Sequence, residues 1–144
     1  MKDKFIVNTS AIVVNDKGEI LITQRSLSED VFPGYWGIPG GTLDKEDKDL
    51  ETSLRRELME EVGIEVSNIQ LVQNNTVTKE DGNKLYLVFL AKYMKGEPRT
   101  SDEVEKVEWR SFTDLKDLQM TPYTYELLEE LHNQGLLYYK NNTF

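Results

Sequence analysis

Apolar residues recur every fourth position at Leu54, Leu58 and Val62, the single stripe expected of an amphipathic helix over residues 50–62. Asp49 stands where an N-cap belongs, and Gly63 is a good stop. Upstream the pattern is different. Residues 11–14 and 19–23 are short aliphatic, β-branched runs around the turn Asn15-Asp16-Lys17-Gly18, which reads as a strand hairpin. Residues 26–35 form a polar loop closed by Pro33-Gly34, and "YWGIPGG" is too rich in glycine and proline to be helical. Strand patterns follow at 69–73, 85–93 and 104–109, with "EDGN" at 80–83 as a hairpin tip. Pro122 opens a closing helix over 122–131. Strands and helices alternate irregularly, which argues for an α/β architecture with a mixed sheet flanked by helices. No linker or repeat interrupts residues 1–144, so a single domain is expected.

Composition narrows this picture. With 38% hydrophobic and 30% charged residues the chain belongs with globular rather than disordered sequences. A net charge of −9 supplies no basic footprint for a nucleic-acid polymer. An acidic chain acts on phosphates only if cations supply the positive charge. The absence of cysteine excludes disulfides and thiolate chemistry, and the single histidine, His132, leaves no histidine cluster for zinc. "MKDKFIVNTS" lacks the apolar run of a signal peptide, and no stretch approaches a membrane span, so a cytoplasmic location without membrane contact is the default expectation.

The segment "RRELMEEVGI" places Glu57, Glu60 and Glu61 within five positions, where like charges on a helix repel. At about 100° per residue, Glu61 lies near +40° and Glu60 near −60° from Glu57, roughly one sector beside the apolar stripe. A solvated acidic face is the plain alternative. Two features favour a site. The glycine turn ahead allows close backbone approach and offers carbonyl oxygens. An oxygen-only cluster suits Mg²⁺ or Mn²⁺, which would turn repulsion into chelation.

The same stretch resembles the Nudix box, G-x5-E-x7-R-E-U-x-E-E-x-G-U with U aliphatic. Arg56, Glu57, Leu58, Glu60, Glu61, Gly63 and Ile64 match its second half at every position, and "WGIPGG" is typical of what precedes it. The first half departs from the pattern. Gly41 to Arg56 is one residue too long, so the first acidic position falls on Lys48 counted backward and on Asp47 counted forward. An insertion in "TLDKEDKD" with Glu46 or Asp47 as substitute accounts for this.

The resemblance implies an α/β/α sandwich with a mixed sheet. It implies Mg²⁺- or Mn²⁺-dependent hydrolysis of the phosphoanhydride of a nucleoside diphosphate linked to a group X. It assigns metal binding to Glu57, Glu60 and Glu61, with a carbonyl of Gly40 or Gly41, and gives Arg56 the orienting of a catalytic glutamate. In many members a glutamate outside the box also serves, for which Glu103 is the first candidate and Glu105 the second. Which carboxylate is the base stays open.

Arg25 either contacts a substrate phosphate or pairs with a surface carboxylate. Phe32 and Tyr35 are candidates to stack on a base, whereas Trp36 reads as core. Lys79 and Lys84 read as solvated, and His132 as a surface or helix-end residue. The expected partner is a small nucleotide, a nucleoside triphosphate (oxidised or not) ahead of ADP-ribose or a nucleotide sugar. The rivals are a non-catalytic nucleotide sensor of the same fold, an isomerase of prenyl diphosphates, which would need a cysteine, and RNA decapping, which the acidic balance disfavours. Oligomeric state is open, a homodimer included.

Overall fold

In a computed structural model of the protein, residues 3–137 are described. β1 (Phe5–Val14), β2 (Ile20–Arg25), β3 (Trp36–Gly37), β4 (Gly40–Thr42), β5 (Glu65–Lys79), β6 (Gly82–Lys95) and β7 (Val104–Arg110) form one mixed sheet, with helices α1 (Leu50–Val62) and α2 (Thr124–Asn133). β1 runs parallel to β6 over its whole length, while the β5–β6 and β2–β7 pairs are antiparallel.

β1 is buried on both faces, which is why "AIVV" is a continuous apolar run rather than an alternating one. Ala11 and Val13 pack under α1 with Leu21, Leu87 and Phe89. Ile12 and Val14 pack under α2 with Ile20, Ile22 and Leu90. The two helices therefore cover opposite faces, giving an α/β/α sandwich.

α1 has the bounds its sequence implies. Asp49 Oδ1 accepts from the Thr52 N–H at 2.7 Å, a regular N-cap. Gly63 closes the helix with φ of 74°, its N–H donating to the carbonyls of Leu58 and Met59. Leu54, Leu58 and Val62 are completely buried. No basic residue occupies the last turn. Instead Arg99, from the segment after β6, donates to the Met59 carbonyl at 2.9 Å and, more weakly, to that of Glu60, and its backbone N–H bonds to the Val62 carbonyl.

Several expectations need correction. The strand expected at 69–73 spans Glu65–Lys79 and pairs with β6 up to the hairpin tip, Lys79 lying opposite Gly82. "YWGIPGG" is non-helical as expected, and carries β3 and the first residues of β4. The first strand begins at Phe5, not at residue 11. α2 starts at Thr124, after Tyr123 at φ of 69°.

β1 and β2 are registered together only at Val14 and Ile20. Further along, β1 takes β4 as its neighbour, with Asn8 opposite Thr42 and Ser10 opposite Gly40, while β2 takes β3 and β7. The sheet thus parts into two arms, and a cleft opens between them.

Candidate active site

The cleft has a volume of about 840 Å³, within the range of nucleotide-sized sites. Its lining includes Arg25 and Phe32 from one arm, Asn8, Ser10, Gly40 and Gly41 from the other, and Glu61 and Glu103 facing it from α1 and the start of β7. The Glu57 carboxylate lies directly over Gly41, where a Cβ would force that side chain to turn aside. The glycine turn expected to allow close approach therefore has a carboxylate lying directly against it.

The three box glutamates have different surroundings. The Glu57 side chain is 15% exposed and that of Glu60 is 60% exposed. Glu61 is half-buried at the cleft. Burial pushes the Glu61 carboxyl up to about 8, reinforced by Glu103 and Glu57 and opposed by the Gly40 amide and Arg25. Burial also raises Glu57, with Arg56 pulling it down and Glu60 and Glu103 pushing it further up. Glu57, Glu61 and Glu103 thus sense one another across the cleft, with Arg56 paired to Glu57 and Arg25 near Glu61 as the opposing positive charges.

Arg56 lies behind this group, not in it. Its Nε donates to Asp47 Oδ1 at 3.0 Å and its Nη2 to Asp47 Oδ2 at 2.9 Å. Nη1 lies 3.1 Å from both Glu57 Oε1 and Glu60 Oε2. Asp47 is therefore the acid that faces the box arginine. Glu46 instead belongs to the preceding turn, where its N–H donates to Asp44 Oδ1. That turn is tied by the Asp47 N–H to the Asp44 carbonyl and by the Asp44 N–H to Asp47 Oδ2, and it absorbs the extra residue.

The remaining candidates separate clearly. Arg25 lines the cleft but is already engaged, its Nε donating to the Val31 carbonyl at 2.8 Å and its Nη2 lying 3.6 Å from Glu29. Phe32 lines the cleft; Tyr35 does not, but its ring backs that of Phe32 at 5.2 Å. Trp36 is core. His132 stacks on Phe112 at 4.4 Å in the last turn of α2. Lys79, read as solvated, is exposed, and it also lines the cleft with Gln73 and Asn75. The usable signal for these three was alternation, because 73, 75, 77 and 79 point to one face of a strand.

The donor set can be judged for a hard cation. Glu57 and Glu61 offer carboxylate oxygens in a partly desolvated place beside the backbone of Gly40 and Gly41, with only oxygen donors in view. That chemistry fits Mg²⁺ or Mn²⁺. Among the described residues no three acidic side chains already surround a single point.

Comparison with known proteins agrees with the geometry. The model of the NUDIX domain matches residues 4–131. The chain belongs to the Nudix family. It is 32% identical to a MutT-like protein of Streptomyces ambofaciens, over 90% of this chain and 79% of that one. A MutT NUDIX hydrolase from Burkholderia pseudomallei superposes with a TM-score of 0.75 at 29% identity, covering 90% of this chain and 99% of that chain. The NUDIX domain of Shewanella oneidensis NrtR, solved with ADP ribose, shares the fold with a TM-score of 0.78 at 21% identity, covering 92% and 90%. By enzyme class the chain is a Nudix-type pyrophosphohydrolase.

Proposed function

We propose that the protein hydrolyses a phosphoanhydride of a small nucleotide, a nucleoside triphosphate first, with Mg²⁺ or Mn²⁺ bound at Glu57, Glu61 and the backbone of Gly40 or Gly41. Glu60 joins this set when its contact with Arg56 loosens. The observation that carries the reading is the partly desolvated group of three carboxylates, Glu57, Glu61 and Glu103, at a nucleotide-sized cleft.

When bound, the cation neutralises phosphate oxygens and acidifies a water. The chain's own residues do the rest. Arg56, anchored on Asp47, keeps the Glu57 carboxylate turned towards Gly41. Glu103 lines the cleft and acts on Glu61 across it, which supports it as the group that takes the proton from the attacking water. Arg25 at the cleft wall neutralises a substrate phosphate once it exchanges its bond to the Val31 carbonyl. ADP-ribose is the second reading, favoured by the ligand of one structural neighbour.

The test is a screen for phosphate and pyrophosphate release over nucleoside triphosphates, oxidised nucleotides, ADP-ribose and nucleotide sugars. It is run with and without Mg²⁺, alongside Glu61→Gln and Glu57→Gln variants. The reading requires metal-dependent turnover that both variants lose. Tight nucleotide binding with no turnover of any substrate would replace it with a sensor.

A further inference from the structure

β5 is the outermost strand on its side of the sheet, and among the described residues no strand pairs with its free edge. It runs over 15 residues. Proteins blunt long edges with charges, prolines or bulges, because unpaired backbone groups there recruit another strand. The first half of β5 is blunted by bulges: its register against β6 shifts between Glu65 and Val66, between Ser67 and Gln70, and between Leu71 and Gln73. From Gln73 to Lys79 the register is continuous. This half contains no proline, and its residues 73–78 carry no charge, in a chain where 30% of residues are charged.

The hairpin tip decides which backbone groups the free edge presents. Lys79 lies opposite Gly82 across the two-residue turn Glu80-Asp81, so these two exchange both backbone hydrogen bonds. By alternation, Val77, Asn75 and Gln73 also bond towards β6, and the N–H and C=O of Thr78, Thr76 and Asn74 face outward. Thr76 is the middle of these three and the middle of the regular segment.

A strand with this layout is complementary to its own copy. Antiparallel pairing about a two-fold axis at Thr76 sets Thr76 against the partner subunit's Thr76 and Asn74 against the partner subunit's Thr78. Every outward N–H and C=O of the three then finds a partner. On the other face Asn75 meets the partner subunit's Val77, and Gln73 meets the partner subunit's Lys79. No like charges meet along this row. Each copy carries a net −9, so an uncharged edge is where two copies approach with least repulsion.

We propose that the regular half of β5 is a dimer interface, at which a second copy of this chain extends the sheet with Thr76 on the two-fold axis. Gln73, Asn75, Val77 and Lys79 line the cleft. Pairing therefore continues each cleft wall into the second copy and brings the partner subunit's Lys79 beside Gln73. The contact is short, of the small class whose association depends on concentration.

The experiment is sedimentation velocity of the full chain from low to high micromolar concentration. The wild type should move from a species of 16.7 kDa to one of twice that mass. Asn74 and Thr78 are exposed, so substitutions there leave the core intact, which circular dichroism checks. Asn74→Lys with Thr78→Lys sets lysine against lysine at both pairs and should weaken association about tenfold or more. Asn74→Lys with Thr78→Glu sets lysine against glutamate in this register, and should associate at least as well as the wild type. The chain has no cysteine, so a single thiol reports the axis directly. Thr76→Cys should cross-link to its copy under oxidant, because the Cα atoms of a hydrogen-bonded pair stand about 5.5 Å apart. Asn74→Cys, whose two copies lie four residues out of register, should not. A monomer at every concentration, association indifferent to the double lysine variant, or cross-linking of Asn74→Cys in place of Thr76→Cys would each overturn the proposal.

Discussion

Arg56 holds Asp47 through two parallel hydrogen bonds, and the Asp47 side chain is only 4% exposed. The guanidinium and the Asp44 amide keep this carboxyl well below the usual aspartate range. Because its folded value is depressed, the stability it contributes is present above the ordinary aspartate range and is lost only as pH falls far below it. The pair is a geometric device: with one side of Arg56 fixed on Asp47, its Nη1 is fixed against Glu57 and Glu60.

Asp47→Ala should therefore act on the glutamates without touching them. The Mg²⁺ concentration for half-maximal activity should rise about tenfold, in line with the loss of an outer-shell partner. Adding Lys48→Glu to that variant should not restore the metal response, since the turn presents residue 47 and not 48 to the arginine. Full rescue by Lys48→Glu would show that any acid in this loop suffices.

Without a cation Glu61 is raised to about 8 against 4.5 for the ordinary side chain. A carboxyl raised in the folded state binds its proton more tightly there. It therefore stabilises the fold below about 4.5, and that contribution is lost as pH climbs through about 8. The metal-free melting temperature should fall over this window, and Glu61→Gln should flatten the fall. Mg²⁺ should raise the melting temperature more at pH 8 than at pH 6, because at the lower pH it must displace a proton. Parallel melting curves for the wild type and Glu61→Gln across this window would place Glu61 in ordinary solvent.

The helix that carries the glutamates was legible because its signals are local: a cap at Asp49, a four-residue stripe and a stop at Gly63. The helix angles put all three carboxylates at the edge of the buried face; Glu57 and Glu61 lie there, whereas Glu60 is 60% exposed. Asp47 could be narrowed only to a neighbourhood, since a turn tied by Asp44 decides which acid of "KEDKD" points inward. The floor of the cleft stayed hidden for another reason. Gln73, Asn75 and Lys79 share their face with a single apolar residue, Val77, and a strand held by its pairing to β6 needs no hydrophobic period that could be read. Arg99 could not be linked to α1 at all, because its contacts at Met59 and Glu60 span 40 and 39 residues.

Contact between Gly41 and the Glu57 carboxylate makes a further variant informative. Gly41→Ala inserts a methyl group where Glu57 lies, and the side chain must swing away. Activity with Mg²⁺ should drop about a hundredfold or more, as expected when a ligand is displaced by about 1 Å, with secondary structure by circular dichroism unchanged. Combining it with Glu57→Asp, whose shorter side chain clears the methyl group, should recover melting temperature but not activity. Wild-type activity in Gly41→Ala would mean that Glu57 functions from another position.

Arg99 supplies the positive group that the last turn of α1 lacks. A charge-assisted cap of this kind contributes about 1 kcal/mol, so Arg99→Ala should lower the melting temperature by roughly 2–8 °C. The effect should not stop at stability. Four residues on, Glu103 is pinned on its other side by the Ser26 N–H to its carbonyl at 3.1 Å, so Arg99 and Ser26 together hold the segment that presents Glu103 to the cleft. Arg99→Ala should lower kcat about tenfold beyond what unfolding explains, measured well below the melting temperature, with KM for the nucleotide little changed. Arg99→Lys, which keeps the charge but not the fork of donors, should recover most of the stability and only part of kcat. A variant that loses stability and keeps kcat would make Arg99 a cap and nothing more.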